Sequence, residues 1–197
     1  MVSQTTTDVT NVAWSRLDTP GHDAATLSPS SEGWELEGAA VLVRSGAVCH
    51  LSYLVTLDGG WRTRSADVKG WVGSRKIDLR IDVGEDGQWT VNDQVIDAVR
   101  GCIDIDFAFT PATNLLPIRR LGLPVGGSQN VVAAWLRFPE FDLQPLDQGY
   151  LRSGELSYEY QSRGGSFRAS LSVSSEGFVV DYPGIWTCET TTAARER

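Results

Sequence analysis

The sequence predicts an all-β fold, mainly antiparallel, and three observations predict it. About a dozen short runs either alternate apolar and polar residues or are apolar throughout, the patterns of half-buried and fully buried strands. Turn residues, chiefly Gly, Asp, Asn and Pro, separate those runs. No stretch keeps an apolar helical period for more than about two turns. Such a chain is a sandwich, a roll or a barrel. No linker of useful length divides it, so one domain is expected over residues 12–189. A disordered polar tail is expected at 1–11, rich in Ser and Thr, and a frayed tail at 190–197.

Taken in order, the first punctuation is Asp18-Thr19-Pro20-Gly21, a turn signal followed directly by His22 and Asp23. From Gly33 strand follows strand. Trp34 to Arg44 begins with alternation and ends apolar, and Ser45-Gly46 turns it. In Val48 to Leu57, Cys49, Leu51, Tyr53, Val55 and Leu57 share one face. Asp58-Gly59-Gly60 makes a hairpin loop into Trp61 to Trp71, where Arg62 and Arg64 lie on one side. Ser74 to Val83 is the clearest strand: Ile77, Leu79, Ile81 and Val83 alternate with Asp78, Arg80 and Asp82. Gln88 to Val91 is a short strand, and Gln94 to Val99 suits a strand or one helical turn.

The densest mixture of polar and apolar residues is Gly101 to Leu121, GCIDIDFAFTPATNLLPIRRL. Ile103, Ile105, Phe107 and Phe109 fall on one strand face, with Asp104 and Asp106 on the other. Thr110 then reads as a helix N-cap with Pro111 at the first helical position. Pro117 limits that helix to one or two turns. Beyond it, Asn130 to Phe138 reads as a central strand covered on both faces, and Pro139 to Gln148 as irregular. Strands follow around Leu156–Tyr160, Phe167–Val173, Phe178–Tyr182 and Ile185–Cys188.

Composition excludes several classes of function. The formal net charge is −8, so no basic surplus exists to displace counterions from nucleic-acid phosphates or to hold an acidic membrane surface. No apolar run is long enough for a membrane span, and the polar N-terminus does not read as a signal peptide, so a cytoplasmic location is expected. Cys49, Cys102 and Cys188 have no CxxC spacing and are read as reduced and buried. No Gly-rich phosphate loop, GxSxG or HExxH occurs, and no metal or cofactor is expected.

Candidate site residues remain. Asp104 and Asp106 lie two apart on one strand face, where they could act as an acid–base pair or hold a cation, or be neutralised by Arg119 and Arg120. His22 and Asp23 form a second conceivable acid–base pair. Arg62, Arg64, Arg119 and Arg120 could take phosphate or carboxylate groups, and Trp71 is one of seven tryptophans able to stack on a sugar face or simply pack.

The passages WSRLDTPGHDAATL, GWVGSR, GCIDIDFAFTPATNLLPIRRL, AAWLRFPEF and YPGIW resemble the bacterial family described as putative glycolipid-binding, with the spiral β-roll fold. The resemblance runs from Trp14 to Trp186. It implies a many-stranded antiparallel sheet wrapped around a single short helix, placed at Thr110 to Leu116 or alternatively Gln94 to Arg100, and a homodimer. It also implies a non-enzymatic protein that holds a glycolipid or lipid in an apolar cavity. It assigns no catalytic residues; its matched positions are Asp104, Asp106, Asn114, Arg119 and Arg120. Two other functions stand beside this one: an enzyme acting on a sugar or lipid ester, and a structural homodimer with a sealed core.

Overall fold

The structure, a computed structural model, describes residues 9–194. Seven strands and a two-residue eighth make up the first half: β1 (Val9–Arg16), β2 (Gly21–Pro29), β3 (Gly33–Arg44), β4 (Ala47–Asp58), β5 (Thr63–Val72), β6 (Arg75–Val83), β7 (Trp89–Val91) and β8 (Gln94–Val95). A connector with one 3-10 turn leads to β9 (Ile105–Phe107) and, through a second 3-10 turn, to helix α1 (Leu115–Leu121). The second half then runs through β10 (Ser128–Leu136), β11 (Leu143–Gly154), β12 (Ser157–Ser162), β13 (Phe167–Val173), β14 (Val179–Tyr182) and β15 (Trp186–Ala194).

All the strands form one sheet in the order β8-β7-β6-β5-β4-β3-β2-β1-β15-β14-β13-β12-β11-β10-β9. Every pairing is antiparallel except β9 with β10. The two ends of the described chain therefore meet in the middle of the sheet, with Val9 opposite Ala194. The sheet's edges are the strands from the middle of the sequence. Laid flat, fifteen strands would separate those edges by about 67 Å at the usual strand spacing. The connector from Val95 to Ile105 can reach only about 35 Å. The sheet must therefore curl, bringing β8 and β9 near each other, although they do not pair.

The curl encloses the core. Alternation sends Leu36, Leu42, Leu51, Val55 and Ile81 inward, each essentially inaccessible. The helix packs inside the same core. Thr110 Oγ1 accepts the Ala112 backbone N–H at 3.0 Å, which braces the 3-10 turn Ala112–Asn114; it does not cap α1, which starts at Leu115 with Asn114 at its N-cap and runs to Leu121 rather than from Thr110 to Leu116. Leu115, Leu116 and Ile118 are buried. Pro117 does not stop the helix; it lies in the first turn of α1, where a missing N–H is tolerated. Gly122 ends the helix in a left-handed conformation, its N–H bonded to the Ile118 carbonyl. The turn at Gly177 lies against α1 so closely that a Cβ there would stand 3.1 Å from Leu115 Cδ1.

Several expectations change. Residues 9–11, read as tail, belong to β1, and 190–194, read as fraying, belong to β15; the two segments pair with each other. The rest of both predicted tails lies outside the described residues. His22 and Asp23 are on strand β2 rather than a loop. β10 is not a doubly covered central strand: it is next to the edge, and Val132 is exposed. Pro145 lies inside β11 rather than in an irregular segment. It pairs with Ala134 of β10 where β12 does not yet reach, the edge position a strand proline requires. Only Cys49 is fully buried; Cys102 and Cys188 are half-buried, and all three thiols are free.

Candidate functional site

Strands of the second half of the chain and the residues leading into α1 bring a polar pocket together at one end of the helix. β9 supplies Asp106, the residues leading into α1 supply Thr110, Pro111 and Asn114, β10 supplies Trp135, and the meander β12 to β15 with its first turn supplies Tyr160, Arg163, Phe167, Tyr182 and Trp186. The cavity measures about 240 Å³. Its walls are aromatic. Tyr160, Phe167 and Tyr182 form a triangle with ring centroids 6.1–6.2 Å apart. The Arg163 guanidinium lies 5.0 Å from the Trp135 ring centroid.

The floor is polar. Asp106 is partly accessible through the pocket it lines. Gln148 Nε2 donates to Asp106 Oδ2 at 2.5 Å and to the Tyr160 hydroxyl at 3.1 Å. Among the described residues no donor reaches Asp106 Oδ1, and no cation pairs with this carboxylate. Burial pushes the Asp106 carboxyl up to about 6, the Gln148 hydrogen bond opposes that, and the charge of Asp104 adds to it. Burial also raises the Tyr160 and Tyr182 phenols, so both stay protonated and able to donate. Asn114 is braced by the Tyr150 hydroxyl, which donates to its Oδ1 at 3.3 Å.

Asp104 has a different fate. Arg120 Nε and Nη2 grip its two oxygens at 2.8 and 2.5 Å, a bidentate ion pair with Asp104 buried. That pair ties α1 to the start of β9 and engages both oxygens of Asp104. The second conceivable acid–base pair does not form either. Successive strand residues point to opposite faces, so His22 is exposed on the outer face while Asp23 is buried. Tyr53 donates to Asp23 Oδ2 at 3.0 Å and the Thr110 hydroxyl bonds the same oxygen. Burial raises the Asp23 carboxyl to about 7, against the opposing pull of these two hydroxyls.

Of the other predicted residues, Arg119 stacks on Trp61 at 4.7 Å from the ring centroid, away from the pocket. Arg64 pairs with Asp58 at 3.0 Å on the surface, and Arg62 is exposed in the turn before β5. Trp71 is on the outer face, stacked with His50. The structure thus brings together Asp106 and Asn114, sets Asp104 and Arg120 beside them as a closed pair, and leaves Arg62, Arg64, Arg119 and Trp71 elsewhere. The aromatic wall escaped residue-by-residue reading, although Trp135, Tyr182 and Trp186 lie in the passages AAWLRFPEF and YPGIW that carry the resemblance. Among the described residues no cluster of His, Cys, Asp or Glu is arranged to hold a metal, and no helix is long and apolar enough to cross a membrane.

A curled, mainly antiparallel sheet packed around one short helix, with a polar pocket at the helix entry, defines the class of protein. The chain belongs to the family described as "Putative glycolipid-binding", whose profile matches residues 11–188. Among solved structures it is similar to a DUF1089 family protein from Pseudomonas aeruginosa, with 30% identity and a TM-score of 0.75 over 85% of this chain and 91% of that one. It also shares its fold with a β-barrel-like protein of the DUF1849 domain from Brucella abortus, at 10% identity and a TM-score of 0.54, covering 95% and 96% of the two chains. No curated protein matches the sequence.

Proposed function

We propose that this protein binds an amphipathic glycolipid by its sugar headgroup, held in the pocket at Asp106, with the aliphatic part outside the sheet. The observation that carries this reading is the Asp106 carboxylate: at the floor of the pocket, without a cation, and with one oxygen turned to no protein donor among the described residues. That oxygen faces the open pocket, where water or a ligand can donate to it, and sugar hydroxyls donate. Aromatic rings give apolar faces for the C–H surface of a sugar ring. The volume of about 240 Å³ is below the roughly 300–1,000 Å³ of sites for drug-sized ligands, which suits one sugar ring rather than a ring plus an acyl chain. The helix and the rings of Phe107 and Phe109 fill the interior where the sequence reading places an apolar cavity. Among the described residues Asp106 is the one carboxylate lining the pocket, whereas glycoside hydrolysis generally uses two, which favours binding over turnover. The homodimer that the resemblance implies belongs to the same proposal.

The test is a titration followed by tryptophan fluorescence, with octyl glucoside below its micelle concentration and with dodecanoate as probes. Octyl glucoside is expected to bind, more tightly above pH 6 than below it. Asp106→Asn is expected to weaken that binding about tenfold at pH 8, in line with the loss of a hydrogen bond to a charged group. Dodecanoate binding as well as the glucoside, with Asp106→Asn indifferent to both, would overturn the proposal.

A further inference from the structure

A second recess lies on the opposite face of the same strands. Asn130 on β10, Gly149 on β11, Gln161 on β12 and Arg168 on β13 stand directly opposite one another in register, one row across four strands. Because side chains alternate along a strand, this row faces outward while its neighbours Gln148 and Tyr160 face the core. Gly149 leaves a gap in the row. A Cβ at Gly149 would be 2.9 Å from both Asn130 Oδ1 and Gln161 Nε2, so the two carboxamides converge over the place where a side chain would be. Among the described residues, neither side-chain amide is in a hydrogen bond. The groove they line measures about 590 Å³, with Val132 as exposed apolar ground on one side of the row; on the other side Leu151 lines an adjoining recess of about 260 Å³ that shares Asn130, Gly149 and Gln161.

We infer that this groove is a saccharide-binding subsite, taking the sugar unit next to the one held in the pocket. Its chemistry fits a sugar: one charge of each sign, Asp147 and Arg168, lines it beside the two amides, so it offers no net charge to select an ion. Two planar carboxamides each offer a donor and an acceptor to adjacent hydroxyls, and the apolar ground suits a sugar's C–H edge. Continuity points the same way. Ser162 lines both the pocket and the groove, and the tight turn after it parts them: Arg163 stands on the pocket side, Gly164 and Gly165 on the groove side. Arg163, Gly164 and Gly165 all have positive φ, so the chain turns within three residues. A headgroup of two sugars can then cross this narrow rim with one unit on each side. The adjacency rests on the pocket reading; the groove itself does not.

One ¹⁵N-resolved NMR titration separates the two, using methyl glucoside, cellobiose and lactose as probes. The indole N–H of Trp135 reports on the pocket, and the side-chain amides of Asn130 and Gln161 report on the groove. The disaccharides are expected to shift both sets, and methyl glucoside to shift mainly Trp135. Gly149→Ala places a methyl group against the movable ends of two flexible side chains, so the fold is retained while the amides are forced apart; it is expected to weaken the disaccharides about fivefold and leave methyl glucoside unchanged. Groove amides that no probe shifts overturn the inference, with the Trp135 signal judging the pocket separately. Disaccharide affinity that Gly149→Ala leaves unchanged overturns it as well.

Discussion

Two regions of the core each hold a carboxyl group with no cation beside it, Asp23 on β2 and Asp106 on β9, and they are solved differently. Around Asp23 the protein closes completely: Tyr53 and Thr110 hydroxyls surround it, and it is 2% exposed. Around Asp106 the protein supplies one amide, from Gln148, and then opens into a pocket. The difference teaches that burial alone does not mark a site. A buried acid whose acceptors are filled holds structure together; one whose acceptors remain open invites a ligand. Asp104, two residues from Asp106, supplies the third arrangement, in which a bidentate arginine pairs with the charge.

The largest expected effect tests that third arrangement. Arg120→Ala leaves Asp104 buried and unpaired, and is expected to cost about 3–5 kcal/mol in urea unfolding. A loss below about 1 kcal/mol would mean that the pair is solvated and that Asp104 belongs with Asp106. Next comes Asp23. Its folded pKa of about 7 is above the ordinary 3.8. Between those two values the folded protein holds a proton that the unfolded chain has lost. The stability it lends is present at low pH and is lost as pH rises through that window. Asp23→Asn removes this dependence. The variant is expected to gain on the wild type by on the order of 3–4 kcal/mol between pH 4 and pH 8. Parallel pH curves for the two proteins would break the comparison.

The smallest effect belongs to Asp106→Asn. Here the folded value is about 6, so the same loss runs over a narrower window and ends near pH 6. The pocket also lets solvent reach the group, so the variant's gain by pH 8 is expected to be about 1–2 kcal/mol. A gain as large as that for Asp23→Asn would show the pocket to be closed, and its carboxylate to be structural.

Much of the sheet was legible because its alternation is undisturbed. β3 to β6 follow the period-2 pattern almost to their ends, with Asp and Arg outside and Ile, Leu and Val inside. β1 and β2 were missed because their inward rows carry Thr10 and Asp23 beside Val12, Trp14, Ala25 and Leu27, which blurs the alternation. β11 was missed because Pro145 reads as a strand breaker until the partial pairing of that strand is known. Of the residues lining the candidate pocket, Asp106 and Asn114 stand out in the sequence by local density of polar groups. Tyr160, Arg163 and Phe167 do not, because nothing in a linear sequence says that the meander β12 to β15 curls over the entry to the helix. The roles of Asp104 and Asp106 were also illegible: identical residues two apart diverge only because Arg120 comes within reach of one of them.

The pairing of β1 with β15 has a consequence for how the chain finds this structure. Every other antiparallel ladder joins strands that follow one another in sequence. This seam joins residues such as Ser15 and Glu189, 174 positions apart. Closing a loop of that length costs roughly 2 kcal/mol more entropy than closing a hairpin of a dozen residues. Local contacts form early and distant ones late, so each meander is expected to zip outward along its own length before the two lock along a single line. The molecule then behaves as a band with a clasp. The band is made of many short, quickly formed steps; the clasp is one slow step, and it fixes the curvature that brings the pocket's walls together.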